Sequence, residues 1–277
     1  MKIVTDSSCD IPRELIEKYN IDVVPLQIEI DDKNYSDGVD ITHQQFYEKM
    51  KTSLGLPKTS QPSPQSFVDV YQDNIKKYGQ ILSIHLSSKL SGTCHSAMMA
   101  KEMVGEEEGR IETFDTLSGS FGVGAQVLEA CHLVEQGLDM DTIIERLNEY
   151  REQTRVVVYL ETLENAVKGG RVSKPKEFVA NLLNLKPIVH VEEGYVRVLK
   201  NIRGKKKGMK FLLEEIEKKN IDYKDRVIGI THCDCLEDAL ILKEEIIKKF
   251  NPAEVLVTTM GPVIGTHAGI GGILICF

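Results

Sequence analysis

The fold follows from a hydroxyl-rich stretch, Ser87-Ser88-Lys89-Leu90-Ser91-Gly92-Thr93-Cys94-His95-Ser96. An apolar run precedes it at residues 81–86, and helix-forming residues follow it at 97–103. This order predicts a strand, a polar turn and a helix in an open α/β sheet, where ligands bind beyond the strand ends. The helix N-terminus there offers free N–H groups and partial positive charge, Gly92 permits close backbone approach, and Ser91 and Thr93 add hydroxyl donors. We predict a site for a small carboxylate or phosphate, although an ordinary Ser/Thr helix cap explains the same residues.

Two further polar turns follow short apolar runs in the first half of the chain. They lie near Ser7 and Ser118. Three strands that each lead into a polar turn and a helix favour a parallel sheet with one shared ligand edge. Residues 22–30 are typical of one strand, and Pro25 indicates a sheet edge. Helix N-caps are predicted at Asp10, Thr42 with Gln45, Ser63, Asp139 or Asp141, Ser173, and Asp234 with Glu237.

The pattern changes near Gln153. A turn at Glu192-Glu193-Gly194 lies between two strand-like runs and indicates a hairpin, and further helices and strands follow. We therefore predict two α/β domains, with a mainly parallel sheet in residues 1–153 and a mixed or antiparallel sheet in residues 154–277.

Composition and charge narrow the class of protein. The 277 residues are 42% hydrophobic and 27% charged, which is typical of a globular chain. The net charge of -8 opposes binding to nucleic acid or anionic lipid. No apolar run approaches the ~20 residues that span a bilayer, and Asp6 comes too early for a signal peptide, so we expect a cytoplasmic protein. The six dispersed cysteines are then expected to be free thiols.

Three other segments carry candidate functional residues. Residues 56–64 contain three prolines that keep the chain extended and present Thr59 and Ser60, so the segment is either a functional edge or a plain linker. Residues 261–272 include five glycines around His267, which could serve as donor, base or anion partner. Arg171 follows two glycines, and a guanidinium on a flexible turn suits phosphate or carboxylate.

Several alternatives are weaker. His232-Cys233-Asp234-Cys235 suggests zinc, but its spacing is not that of a zinc knuckle and no second ligand pair lies nearby, so we expect no metal. The basic cluster between Lys200 and Lys210 is either a solvated helix start or a docking patch for an acidic partner. The chain carries no Walker loop, dinucleotide fingerprint or nucleophile elbow.

Taken together, the motifs resemble the DegV family of bacterial fatty-acid-binding proteins. The matching pieces run in the family's order along the whole chain. They are Val4-Thr5-Asp6-Ser7, Lys58-Thr59-Ser60-Gln61-Pro62-Ser63, Ser87-Ser88-Lys89-Leu90-Ser91-Gly92-Thr93, Leu160-Glu161-Thr162-Leu163, Lys168-Gly169-Gly170-Arg171-Val172-Ser173 and Gly261-Pro262-Val263-Ile264-Gly265-Thr266-His267.

The resemblance implies a long-chain fatty acid between the two domains, with its tail in an apolar tunnel and no other cofactor. Its carboxylate would meet a set of hydroxyl, backbone and imidazole groups. These would be Thr59, Ser60, Ser91, Gly92, Thr93, Thr266 and His267. Some family members carry the acyl group for a fatty acid kinase, whose separate ATP-binding subunit forms an acyl phosphate. Arg171 would then face that kinase or the incoming phosphoryl group, and the chain would not be an enzyme on its own.

Two other functions remain open at this point. The chain could be a hydrolase or phosphotransferase with Ser91 as nucleophile and His267 as base, although no third, orienting acid is identifiable. It could also be a lipid carrier or sensor without a kinase partner.

Overall fold

The structure is a computed structural model that describes residues 1–172 and 185–277. Its strands are β1 (Lys2–Asp6), β2 (Asp22–Val24), β3 (Gln27–Ile30), β4 (Lys33–Ser36), β5 (Lys58–Ser60), β6 (Gln80–His85), β7 (Arg110–Asp115), β8 (Val156–Tyr159), β9 (Leu185–Glu192), β10 (Tyr195–Arg203), β11 (Val227–His232), β12 (Glu254–Thr259) and β13 (Ile273–Cys276). Its α-helices are α1 (Arg13–Lys18), α2 (His43–Thr52), α3 (Pro64–Tyr78), α4 (Thr93–Val104), α5 (Phe121–Glu135), α6 (Met140–Gln153), α7 (Glu164–Lys168), α8 (Lys205–Lys218), α9 (Leu236–Phe250) and α10 (Pro262–Ala268). None of the helices in these ranges has the length and apolar character that a bilayer crossing requires.

The first α/β domain is built on a parallel sheet with strand order β2-β1-β6-β7. Every residue of β1 is buried, as expected for a strand covered on both faces. Helices α3 and α4 contribute Phe67, Tyr71 and Ala97 to one core cluster on the sheet. Because the three polar turns follow β1, β6 and β7, parallel pairing brings them to one edge, as the sequence predicts.

The second α/β domain is built on a mixed sheet with strand order β10-β9-β8-β13-β11-β12. Among the strands in the described residues of this sheet, only β11 and β12 pair in parallel, and the predicted hairpin is formed by β9 and β10. Helix α5 contacts strands of both sheets. The Phe121 ring at its start packs directly against Gly229 of β11, where any side chain would overlap it. The two-sheet prediction is confirmed, while the boundary at residue 153 stays a prediction.

The prediction of one strand over residues 22–30 is wrong, and Pro25 is the physical reason. Proline has no N–H to donate to a ladder, so the chain leaves the first sheet after β2. It then forms β3 in a separate antiparallel sheet with order β4-β3-β5. This small sheet fixes the Pro-rich segment, because Thr59 of β5 pairs with Ile28 of β3.

Some of the predicted helix caps are confirmed and others are wrong. Thr42 and Gln45 form the expected capping box, and Ser63 and Asp139 cap their helices through their side chains. Asp10 does not cap α1, whose N-cap is Pro12. The Asp10 carboxylate instead accepts hydrogen bonds from the Gly261 N–H at 2.8 Å and from the Ser120 hydroxyl.

The cap predicted at Asp234 is also wrong. Its backbone is left-handed and its carboxylate pairs with Lys51, so α9 begins after Cys235 instead. The cap predicted at Ser173 lies outside the described residues.

Candidate ligand-binding site

A cavity of about 320 Å³ lies between the two sheets and takes its walls from both domains. Among the described residues, six polar or charged side chains and nine apolar ones line it. The polar group comprises Thr59, Ser60, Gln61, Ser91, Arg171 and His267. The apolar wall comprises Leu26, Leu86, Leu90, Val158, Val191, Val196, Val263, Ile264 and Leu274. Such a cavity fits a molecule with a small polar head and a long apolar remainder.

Thr59 and His267 meet at the polar part of the cavity. The Thr59 Oγ1 lies 3.3 Å from the Nε2 of His267. The pairing of β5 with β3 presents Thr59, and α10 carries His267 from the far end of the chain. A ligand oxygen that enters here therefore meets donors from two distant segments.

His267 is held in its neutral form. Burial lowers the pKa of His267 to about 4, and the charge of Arg171 acts in the same direction. Its Nδ1 is buried against Gly169 without a hydrogen-bond partner among the described residues. A neutral imidazole carries one N–H and can donate it to an anion without forming an ion pair.

The turn after β6 supplies the second group of donors. Ser91 lines the cavity, and its Oγ lies 2.9 Å from the Oγ1 of Thr93. Thr93 is fully buried behind Ser91 and does not line the cavity itself. The predicted strand, turn and helix are thus present. Gly92 is the N-cap of α4, and the first N–H group of the helix, that of Thr93, donates to the Ser91 Oγ at 3.3 Å.

Gln61 is a cavity residue that the sequence analysis did not select. A side chain on Gly92 would overlap the Gln61 amide, whose Nε2 donates to the Ser96 Oγ at 3.0 Å. Gln61 therefore packs against the turn at Gly92 and forms part of the cavity wall. The available signal was its position two residues after Thr59 on a stiff, extended segment.

Arg171 closes another side of the polar region. Its Nε donates to the Leu90 carbonyl at 3.2 Å, and its Nη1 donates to the Gly169 carbonyl at 2.6 Å. Backbone carbonyls orient the guanidinium but do not neutralise it, and no carboxylate in residues 1–172 or 185–277 forms a salt bridge with it. Its positive charge therefore remains available to an anion.

Thr266 does not join this group. It is fully buried, and its hydroxyl donates to the Pro262 carbonyl at 2.8 Å, one turn earlier in α10. A hydroxyl that bonds back to the i−4 carbonyl is engaged within its own helix. The structure thus brings Thr59, Ser60, Ser91, Gly92, His267 and Arg171 to one cavity, but it turns Thr266 away.

The geometry does not favour the nucleophile and base of the hydrolase alternative. Within the described part of the chain, the Ser91 hydroxyl pairs with Thr93 and the His267 Nε2 pairs with Thr59. A serine nucleophile requires its base within hydrogen-bond reach. The same residues contain no group of three or more His, Cys, Asp or Glu side chains that could hold a metal ion.

Comparison with known proteins places the chain among related sequences and structures. The model of the DegV family, described as an uncharacterised protein family, matches residues 1–277. A DegV domain-containing protein of Caldanaerobacter subterraneus subsp. tengcongensis is 35% identical over 267 residues, which cover 96% of this chain and 94% of that protein.

Two solved structures share the fold over nearly the whole chain. One is a DegV family protein from Thermus thermophilus that is described as binding fatty acid. It has a TM-score of 0.92 and 32% sequence identity, and the match covers 100% of this chain and 98% of the Thermus chain. The other is the fatty acid kinase B3 protein of Streptococcus pneumoniae, loaded with linoleic acid. It has a TM-score of 0.86 and 26% sequence identity, and the match covers 100% of this chain and 98% of the Streptococcus chain.

Proposed function

The chain belongs to the DegV family, and from this premise we propose that it binds a long-chain fatty acid between its two domains and presents the carboxylate to a separate kinase subunit. The carboxylate lies among Thr59, Ser60, Ser91 and His267, with the Gly92 N-cap beside it. The tail follows the apolar wall.

One observation carries the proposal, namely that a cavity with a mostly apolar wall also presents a few polar side chains, of which Thr59 and His267 lie 3.3 Å apart. Each buried CH₂ group contributes about 0.8 kcal/mol, so a long tail supplies most of the affinity. The carboxylate then requires hydrogen bonds, because a desolvated unpaired anion is very costly. Hydroxyls and a neutral imidazole meet this need without forming a tight ion pair with the head group, so the oxygens keep their nucleophilic character.

Arg171 supports the kinase role. Its guanidinium lies at the same cavity, is oriented by two carbonyls and keeps its charge. An Arg fork suits the charge of a transferring phosphoryl group. The relative from Streptococcus pneumoniae carries the name of a fatty acid kinase protein, which supports a kinase partner for this chain.

Lipid binding is tested by native mass spectrometry of the purified protein, followed by organic extraction. A long-chain acid should copurify in near-stoichiometric amount. A protein that emerges empty, and that also fails to bind labelled oleate and palmitate, would rule out the lipid-binding proposal.

The kinase role is tested with the ATP-binding subunit of a bacterial fatty acid kinase. Arg171→Ala should retain bound acid and lose acyl phosphate formation, while Arg171→Lys should retain part of it. Equal turnover by wild type and Arg171→Ala would assign Arg171 no part in transfer. Absence of turnover by the wild type would leave a lipid carrier as the function.

A further inference from the structure

Ser87 begins the turn that brings Ser91 to the cavity between the two sheets (the acyl cavity), and its backbone sets the shape of that turn. The Ser87 carbonyl accepts the N–H groups of Leu90 at 3.0 Å and of Ser91 at 3.1 Å. The Ser87 N–H donates to the Ser118 carbonyl at 2.9 Å, which ties the turn after β6 to the turn after β7. A displacement of Ser87 would therefore move the residues that follow it, Ser91 included.

The side chain of Ser87 extends these contacts to the second α/β domain. It is fully buried, and its hydroxyl donates to the Gly194 carbonyl at 2.9 Å, at the tip of the hairpin formed by β9 and β10. The same Oγ accepts the Lys89 N–H at 3.2 Å. Ser87 does not line the acyl cavity. Its N–H, carbonyl and hydroxyl are all engaged within the protein, so Ser87 holds the turn and does not contact the ligand.

Gly194 fits against Ser87 because it has no side chain. A Cβ at that position would lie 2.6 Å from the Ser87 Oγ, 2.9 Å from the Lys89 Cγ and 3.1 Å from a methyl carbon of Leu117. Two of these approaches are shorter than 3.0 Å, so a side chain there would push Ser87 or Lys89 away. The hairpin tip of the second domain therefore packs against both polar turns of the first.

We propose that Ser87 is a positioning residue for the fatty acid head group, and that the hairpin tip holds it in place through Gly194. This inference rests on the proposed lipid binding and adds a residue that the carboxylate does not touch. Ser87 holds the turn in the place where the side chain of Ser91 lines the acyl cavity. The affinity for the head group thereby depends on a contact that neither domain makes alone.

The first test separates the head group from the tail. Calorimetry on delipidated protein compares dodecanoate with dodecanol, whose tails have the same length, in wild type and Ser87→Ala. Hydrogen bonds to a charged group are roughly twice as strong as those to a neutral group. Ser87→Ala should therefore lower the affinity for dodecanoate about tenfold and the affinity for dodecanol only about threefold. Equal losses for the two ligands would mean that Ser87 is merely structural and would overturn the proposal.

Two further variants separate positioning from a general loss of stability. Ser88→Ala removes a neighbouring hydroxyl on an exposed residue, and it should bind both ligands as wild type does. In a Ser91→Ala background, Ser87→Ala should lower the affinity for dodecanoate less than about twofold further, because the hydroxyl that Ser87 positions is already absent. Full additivity of the two losses, or the same loss in Ser88→Ala, would contradict the positioning role.

Variants of the hairpin test the contact from the second domain and leave Ser87 itself unchanged. Gly194→Ala should reproduce the unequal losses of Ser87→Ala. Gly204→Ala is its matched control, because Gly204 has a φ of +81° against +82° for Gly194 but has open space for a Cβ. Equal affinities of these two variants for dodecanoate would overturn the role of the hairpin tip. A wild-type protein that binds neither ligand would instead reject the proposed lipid binding, which is a different result.

Discussion

The Thr59 Oγ1 and the His267 Nε2 lie 3.3 Å apart, although 208 residues separate them in the chain. Thr59 belongs to the three-stranded sheet and His267 to a helix between two strands of the mixed sheet. The site is therefore complete only when both regions are packed together. Each donor can be removed without disturbing the strand or helix that carries the other.

Replacement of Thr59 by valine should weaken binding of palmitate about tenfold or more. Valine keeps the shape of threonine, and the lost hydroxyl bond to a charged acceptor has a net value of about 1.5–3 kcal/mol. Thr59→Ser is the matched control and should retain most of the affinity. Calorimetric titration of delipidated protein measures both, and equal affinities for Thr59→Val and wild type would remove Thr59 from the head-group site.

The stability of the empty protein should depend on His267 below neutral pH. The pKa of His267 falls from its usual 6.5 to about 4 through burial and the charge of Arg171. Between those values the unfolded chain binds a proton that the folded chain does not, so stability is lost as pH falls from 6.5 towards 4. We expect wild type to lose more thermal stability between pH 7 and pH 5 than His267→Gln. Parallel losses in the two proteins would contradict the lowered pKa.

The sequence predicted the local parts of the site better than their relative positions. The apolar run, polar turn and helix around Ser91 are contiguous, so their order was sufficient to predict them. Five glycines surround His267 in the sequence, yet the helix α10 forms there and carries it. Gly265 instead leaves room for the Tyr47 hydroxyl, and Gly261 lies against Asp10, so packing rather than turning explains these two glycines. Contacts of this kind join distant segments and leave no periodic pattern.

Glycine at position 92 should matter for binding, whereas glycine at position 119 should not. Both glycines line the acyl cavity. A side chain at Gly92 overlaps the Gln61 amide, but one at Gly119 meets Leu86 at an ordinary 3.5 Å. Gly92→Ala should therefore displace the flexible end of Gln61 from its Ser96 partner and lower palmitate affinity about fivefold, the net value of one hydrogen bond, while Gly119→Ala changes it less than twofold. Binding assays on the two variants test this, and similar affinities for both would show that Gln61 does not shape the site.

Asp10 should make the protein less stable as pH rises from acidic to mildly alkaline. It is buried beside the start of α10, and burial raises its pKa from 3.8 to about 8 despite hydrogen bonds from Ser120 and Gly261. Between these values the folded chain keeps a proton that the unfolded chain releases. Stability supplied by protonated Asp10 is therefore complete below pH 3.8 and is lost as pH rises towards 8.

Asp10→Asn isolates this effect, because an amide resembles the protonated carboxyl group. Its oxygen still accepts from the Gly261 N–H, and its NH₂ can donate to the Ser120 hydroxyl, which also lies 2.9 Å from the Thr231 Oγ1. In urea unfolding between pH 5 and pH 8, the wild type should lose stability relative to Asp10→Asn. Asp10→Ala should be less stable than both by about 2–3 kcal/mol, since it leaves the Gly261 N–H without an acceptor. A constant difference between wild type and Asp10→Asn across that range would mean that Asp10 is already ionised at pH 5, and that its two donors outweigh its burial.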